Sequence, residues 1–461
     1  MSRERTLHRP RPGAATGRGA AIEALCRWQD SGRAVDTFLE PLSAGLPVRE
    51  RHLAKQIVYG ILRNLHYLDR VIGDRASHPL GRMKPRTLAA LRVGAFQLLF
   101  LDRVPPSAAV NETVRALKKM RQPRWLISFV NGVLRAIART RDHLPGPGLS
   151  PDDGRAPLNH PDWLVERWQQ RYGRAVAEAI CRTNNRPPPL TLRVNTRRIG
   201  RPQLLARLQE AGCRAEPGRV APAAIVVHGR TGPVTELPGY GEGLFLVQDE
   251  AAQLACLLAG ELRQGSRCLD SCAGLGGKTA SLLLAAEDGV LITAVEPEKR
   301  RFRLLADNMA RLGLSGRVRP FAGSLAGFAA TSPGLFDLIF IDVPCSGTGV
   351  IRRHPDIRWN RRPGDPDRYH EQQLGLLTTA AGLLAAGGIL VYATCSLEPE
   401  ENRQVIEEFL AGSPDFSVDP CAALLPEAAA GLVDDHGFLH PLPADTMDGF
   451  FAARLIRDPG L

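Results

Sequence analysis

The sequence predicts a multidomain chain: an α-helical bundle, a small α+β region, and an α/β doubly wound domain. Three observations predict it. At 461 residues the chain is too long for a single hydrophobic core. Its first third carries apolar residues at helical spacing, whereas from Asp249 onward strands alternate with helices. Between these regimes lies a stretch rich in Pro, Gly and Asp, RDHLPGPGLSPDDGRAPL (141–158), which reads as a linker.

The elements follow in chain order. Residues 1–18 begin MSRERTLHRPRPG, basic but with no apolar run behind it, so they read as a disordered lead-in and not a secretory signal. Residues 19–145 read as helical. In VRERHLAKQIVYGILRNLHYLDRVI, Leu53, Ile57, Ile61, Leu65, Leu68 and Ile72 recur every three or four residues. KPRTLAALRVGAFQLLFLD and PRWLISFVNGVLRAIART repeat the pattern, each with a proline near its start. The linker occupies 146–160. A small α+β region, 161–245, offers a helix from about Pro161, a strand LTLRVNT and a helix from Pro202. Apolar strands near AAIVVH and GLFLVQ complete it. The remainder, 246–461, starts with the helix DEAAQLACLLAG and the strand SRCLD. A glycine loop, a helix, the strand VLITAVE, a helix from Pro297 and the strand VRPF follow. The strand LFDLIFID, a helix near Glu371 to Leu384, the strand GILVYATC and a helix from Pro399 continue the series. Such alternation means a parallel sheet with helices on both faces. The tail, GFLH to DGFFAARLIR, reads as a final antiparallel hairpin.

Composition narrows the function. No apolar run approaches the ~20 residues of a membrane span. The nine cysteines are scattered, with no CxxC pair and no zinc-finger spacing, so free thiols in a reducing cytoplasm and no metal are expected. Residues 1–145 hold 26 Arg/Lys against 11 Asp/Glu, a net of +15, while the rest is net −4. A field so placed favours a polyanion, most simply nucleic acid, over the alternative of a solvated basic surface. RALKKMRQPR (115–124) is the densest basic segment.

The chemistry concentrates at the ends of the later strands. CLDSCAGLGGKTA places Ala273, Gly274, Gly276 and Gly277 where a backbone can turn tightly and approach a ligand. The spacing fits neither GxxxxGK[ST] nor GxGxxG. Glu296 ends the next strand, where an acid commonly holds ribose hydroxyls. A nicotinamide cofactor would account for these two features but not for the cysteines. IDVPCSGTG brings Asp342 and Cys345 to the carboxyl edge of the sheet, and GILVYATCS brings Cys395 to the same edge, 50 residues later. A thiolate there could attack an electrophilic ring carbon.

DSCAGLGGKT, DVPCSGTG and YATCS, with FLVQDEAAQL upstream and DGFFAARL at the end, resemble the RNA cytosine-C5 methyltransferases. The basic helical N-terminus makes the chain most similar to the Sun/RsmB branch, the ribosomal small-subunit RNA methyltransferase B type. There a NusB-like helical domain precedes a Rossmann-like class I methyltransferase domain. The resemblance covers nearly the whole chain from about residue 19. It implies methylation of cytosine C5, with S-adenosyl-L-methionine as cofactor. The implied partner is 16S rRNA or a small-subunit assembly intermediate. Cys395 is then the nucleophile that adds at C6, Cys345 assists product release, and Asp342 supports protonation at N3. The family's cofactor positions fall on Cys272, Ala273, Gly274, Leu275, Gly276, Gly277, Lys278, Glu296, Ser324 and Asp342. Cys272 is expected to line the pocket. Lys278 either orients a ligand or caps a turn.

Departures from the family pattern are visible. Gly274-Leu275-Gly276-Gly277 stands where Ala-Pro-Gly-Gly is usual, Glu296 and Ser324 where Asp is usual, and Val343 where a small residue is common. Two alternatives stay open: the same chemistry on transfer RNA, and a non-catalytic RNA-binding assembly factor. For His354 and Asp356 in RRHPDIRW, an RNA-touching loop and an ordinary loop remain equal readings.

Overall fold

The computed structural model describes residues 16–144, 158–229 and 232–460. The lead-in up to residue 15 and the linker up to residue 157 lie outside them. The chain divides into two units. One holds the residues up to Arg186 together with Ile351–Arg361, and the other holds Pro187–Val350 and Arg362–Leu461.

The first unit is helical. Helices α1 (Gly17–Trp28), α2 (Asp36–Ser43), α3 (Val48–Arg63), α4 (Leu65–Gly73), α5 (Pro85–Phe100), α6 (Pro106–Lys119) and α7 (Arg124–Thr140) surround one core. Ile22, Ile57, Ile61, Leu62, Leu68, Leu91 and Leu134 are fully buried in it. The hydroxyl of Thr16 accepts the Gly19 N–H at 3.1 Å and so starts α1 inside the expected lead-in. Pro85 and Pro106 open α5 and α6, where a missing N–H costs nothing. The pattern from Val48 to Ile72 runs on as one helical face, yet the helix breaks at Asn64. The Asn64 side-chain amide donates to the Gly60 carbonyl at 2.9 Å, a local bond that competes with the helix. Helices α8 (Asp162–Tyr172) and α9 (Arg174–Asn184) join this unit. The sequence pattern did not separate α9 from its neighbour.

The second unit contains two sheets. The smaller is antiparallel, in the order β2-β3-β1-β4, from β1 (Leu190–Val194), β2 (Ala215–Pro217), β3 (Ala224–Val227) and β4 (Phe245–Val247). Helix α10 (Arg201–Glu210) packs on it through Leu204 and Leu208. The larger sheet has β5 (Arg267–Asp270), β6 (Leu291–Val295), β7 (Val318–Phe321), β8 (Phe336–Asp342), β9 (Leu384–Thr394), β10 (Phe416–Val418) and β11 (Phe451–Arg457). Its order is β10-β11-β9-β8-β5-β6-β7, with β5 to β9 parallel. Helices α11 (Glu250–Leu257), α12 (Gly277–Ala285), α13 (Lys299–Leu312) and α14 (Leu325–Ala329) accompany its first strands. Strands so covered read as apolar runs, as in Leu338–Ile341. The tail is not a simple hairpin. β11 inserts antiparallel between β9 and β10, and Leu439 meets Ala452 through one isolated bridge.

The segment Ile351–Arg361, with its short helix α15 (Ile357–Asn360), is built into the helical unit. Arg358 is fully buried. Its guanidinium donates to the Asn159 carbonyl (2.9 Å), the Asn184 carbonyl (2.8 Å) and Asn185 Oδ1 (2.5 Å). Burial pushes its pKa down to about 9. Asp356 Oδ2 accepts the Val35 N–H at 3.0 Å, and Trp359 Nε1 donates to the Leu62 carbonyl at 2.8 Å. Asp356 therefore has an ordinary structural role, at the helical core. The chain then returns through α16 (Asp365–Ala381) and α17 (Arg403–Gly412). Arg358→Met would take this donor from three acceptors and should destabilise the helical unit by roughly 2–3 kcal/mol. All five tryptophans lie in that unit, so their fluorescence during urea unfolding reads it alone. An unchanged midpoint would show that the segment is not part of its fold.

Candidate active site

The register of the large sheet aligns the ends of four strands. Asp270 pairs with Ala294 on one side and Phe340 on the other, and Asp342 pairs with Ala393. The strand order reverses between β5 and β8, and open parallel sheets bind ligands in the crevice at that point.

The glycine loop starts there. The Ala273 N–H donates to the Val295 carbonyl and the Gly276 N–H to the Ala273 carbonyl, at 3.0 and 2.8 Å. Gly274 and Gly276 have φ of +57° and +81°, which a residue with a Cβ adopts only with strain. At Gly276 a Cβ would also stand 2.8 Å from Met309 Cε. The turn ends as the N-cap of α12 and delivers Lys278 into the site. Cys272 lines the loop. Burial, then the charges of Asp270, Asp342 and Glu296, push its thiol up to about 12, so it is a poor nucleophile.

Acids and one lysine face the crevice. Lys278 Nζ donates to Asp342 Oδ2 at 2.5 Å and lies 5.5 Å from the centre of the Phe450 ring. Burial alone would lower the lysine pKa, but the charge and hydrogen bond of Asp342 outweigh it and raise it, so an ammonium stays paired there. Glu296 is buried at the tip of β6, and its Oε1 accepts the Glu298 N–H at 2.8 Å. Ser324 follows β7 on the surface, where its hydroxyl caps α14 by accepting the Gly327 N–H at 3.1 Å.

Cys345 and Cys395 meet on the other flank, their sulfurs 3.2 Å apart. The hydrogen bond to Cys395, and burial after it, push the Cys345 thiol well above its usual range. The protonated thiol is therefore favoured at Cys345, and either sulfur can donate across the pair. Gly349 closes the motif. Its N–H donates to the Cys395 carbonyl, and its own carbonyl accepts the Gly449 N–H, both at 2.9 Å. A Cβ at Gly349 would stand 2.3 Å from the Gly449 oxygen, so this crossing requires glycine. The PCSGTG, TCS and DGFF stretches thus close on one point.

Three family models match: 16S rRNA methyltransferase RsmB/F over residues 257–456, the NusB family over 15–139, and a ferredoxin-like domain of RsmF/B-like methyltransferases over 160–235. The chain is 36% identical over 442 residues to ribosomal RNA small subunit methyltransferase B of Salmonella paratyphi A, covering 95% of this chain and 98% of that one.

The chain belongs to the RsmB/F family of 16S rRNA methyltransferases.

Solved structures agree with the assignment. The crystal structure of PH0851 is 25% identical, with a TM-score of 0.77 over 98% of this chain and all of that one. A methyltransferase homologue from Pyrococcus horikoshii is 27% identical, with a TM-score of 0.55 over 65% of this chain and 96% of that one. This RsmB/F chain is an RNA methyltransferase, with a NusB domain, a ferredoxin-like region and a Rossmann-like domain.

The sequence reading named Lys278 without its partner and passed over several residues around it. Lys278 was left between two roles, and its partner proves to be Asp342. Gln248 accepts the Ser281 hydroxyl at 2.6 Å and steadies the start of α12. Asp249 Oδ1 accepts both the Ala251 and the Asp448 N–H at 3.0 Å, joining QDEAA to the tail. Glu401 is fully buried behind the two cysteines. Its only sequence signal is an acid run, SLEPEEN, following TCS. Asp270, also fully buried, accepts the Thr279 hydroxyl at 2.6 Å. Burial, with a contribution from Asp342, pushes its pKa up from 3.8 to about 6.

A raised carboxyl favours the fold while protonated. The contribution of Asp270 is complete below about pH 4 and is lost as pH rises through about 6. Asp270→Asn should remove this slope, gaining roughly 2–3 kcal/mol on the parent between pH 4 and pH 7. Hydrogen exchange of the β5 amides at the two pH values measures it. Equal gains at both would assign Asp270 an unshifted carboxyl.

Proposed function

We propose that this protein methylates C5 of a cytosine in 16S rRNA, using S-adenosyl-L-methionine and a transient bond between Cys395 and cytosine C6. The observation that carries the reading is the pair of thiols 3.2 Å apart, on the sheet edge that also holds the Lys278–Asp342 pair. The NusB match and the 16S rRNA relatives favour ribosomal over transfer RNA. The intact thiols and acid disfavour a non-catalytic assembly factor.

The residues fit the cofactor. A Cβ at Gly274 or Gly277 would meet nothing within 4 Å, so the loop backbone borders open space. The backbone from Cys272 to Lys278 would hold the amino-acid portion, and Glu296 the ribose hydroxyls. Asp342 would border the same pocket, with Ser324 towards the base. When bound, S-adenosyl-L-methionine supplies an electrophilic methyl group, which the activated C5 takes up.

The protein's own groups do the rest. Cys395 attacks as a thiolate, helped by the hydrogen bond from the Cys345 thiol. Addition at C6 moves electron density onto the N3 side of the ring. Asp342, held by Lys278, supports the proton at N3. Once C5 carries the methyl, its proton passes to solvent, the C5–H electrons rebuild the C5–C6 double bond, and the C6–S pair leaves with Cys395, whose departing sulfur Cys345 assists. The target base must leave any stack to reach these groups. In the helical unit, exposed Arg115, Lys118, Lys119, Arg121 and Arg124 offer cations to the RNA backbone, beside Trp125 at 60% exposure.

Single variants separate the two thiols. Cys395→Ser should give no adduct and no turnover, because a hydroxyl lacks thiolate character at neutral pH. Cys345→Ser should transfer the methyl and then stall, with RNA retained as a slow band on a denaturing gel. Lys118→Glu with Lys119→Glu should weaken RNA capture in the same assay, more at low salt than at high. An adduct in Cys395→Ser and none in Cys345→Ser would exchange the two roles.

A further inference from the structure

We infer that Glu401 is a positioning residue that sets the distance between the two thiols by bridging the loops that carry them. The inference rests on the reading of Cys395 as nucleophile and Cys345 as its assistant.

Ser346 and Ser396 each follow one of the cysteines, and Glu401 holds both. Its Oε2 accepts the Ser346 N–H at 2.7 Å, and its Oε1 accepts the Ser396 hydroxyl at 2.7 Å. The two serine hydroxyls lie 3.0 Å apart. Gln373 adds a third donor to the carboxylate, at Oε2 and 3.1 Å, and the same amide nitrogen donates to the Pro344 carbonyl at 2.9 Å. Cys345 is therefore held from the residue before it and the residue after it. On the other loop, Thr348 accepts the Leu397 N–H at 2.8 Å and Ser396 Oγ accepts the Glu398 N–H at 3.0 Å. The Tyr392 hydroxyl donates to the Glu401 carbonyl at 2.6 Å, which fixes the turn Pro399–Glu401 itself.

All of Glu401, Ser346, Ser396, Gln373 and Tyr392 are buried, so water does not compete for these bonds. A shift of either loop would strip a donor from a buried carboxylate, where solvent does not reach to replace it. One oxygen serves each loop, and the carboxylate's fixed span becomes the spacing of the sulfurs. The charge of Glu401 acts in the same sense, since it disfavours a thiolate at Cys345.

The test uses the full chain and two readouts. In the Cys345→Ser background, Glu401→Ala should slow single-turnover adduct formation by ~100-fold, the order expected for a misplaced reacting group. Glu401→Gln should restore it to within about tenfold, since an amide can still accept from Ser346 and donate to Ser396. S-adenosyl-L-methionine affinity should be unchanged in both, because the carboxylate bonds no residue of the glycine loop. With both cysteines present, diamide takes two electrons and two protons from the thiols, and thiol counting follows the Cys345–Cys395 disulfide. Its formation should be slow in Glu401→Ala and near parental in Glu401→Gln. Parental rates in Glu401→Ala, or equal defects in the Ala and Gln variants, would overturn the inference. Should Glu401→Ala fail to bind cofactor, Ser396→Ala cuts one arm alone and decides by the same criteria: slowed supports it, unchanged overturns it. If Cys345→Ser traps no adduct at all, the roles of the thiols fail, and the disulfide rates still judge Glu401.

Discussion

The parallel pairing of β8 with β9 is the constraint on which the site depends. Because Asp342 lies opposite Ala393, two loops separated by 50 residues of chain leave the sheet side by side. That register is held by apolar side chains on both faces, including Phe340, Ile341, Val391 and Tyr392, all fully buried. A slip of one residue would move each of these to the opposite face, against neighbours of a different shape, so the packing on both faces enforces the alignment of the thiols. The neighbouring pairing of β5 with β8 does the same for the glycine loop and Asp342.

On this frame the polar groups form two separate systems. Towards β5 and β6 lie Asp270, Glu296, Asp342 and Lys278, three acids and one cation, with Asp342 claimed by the lysine. Towards β9 lie the thiols and the hydroxyl–carboxylate network of Glu401. The first system is open enough to take a ligand, with Asp342 29% exposed. The second is closed, and every bond in it serves to hold a position. The division suits a reaction in which the cofactor must exchange and the nucleophile must not move.

Much of this was legible in the sequence. The change from helical to alternating pattern at Asp249 marked the doubly wound domain, and five parallel strands stand where apolar runs predicted them. The placement of Gly274, Gly276, Asp342, Cys345 and Cys395 at the sheet edge was legible because each follows the end of an apolar run. What was missed depends on contacts distant in the chain. The break at Asn64 is invisible to periodicity because Leu65 and Leu68 continue the same apolar face. Arg358 lies in RRHPDIRW, where nothing local marks it, and its acceptors lie more than 170 residues away. The insertion of β11 between β9 and β10 is a matter of partner choice, which local pattern does not encode. Glu401 sits among acids that read as charges at a helix start, and only the fold shows that this one is buried.

The central claim is that Cys395 bonds covalently to the target base while Cys345 does not. The most direct measurement is peptide mapping by mass spectrometry after reaction with S-adenosyl-L-methionine and a 16S rRNA fragment containing 5-azacytidine, which blocks the final release. The account predicts that the nucleotide mass resides on the peptide containing Cys395. Its presence on the peptide containing Cys345 would contradict it.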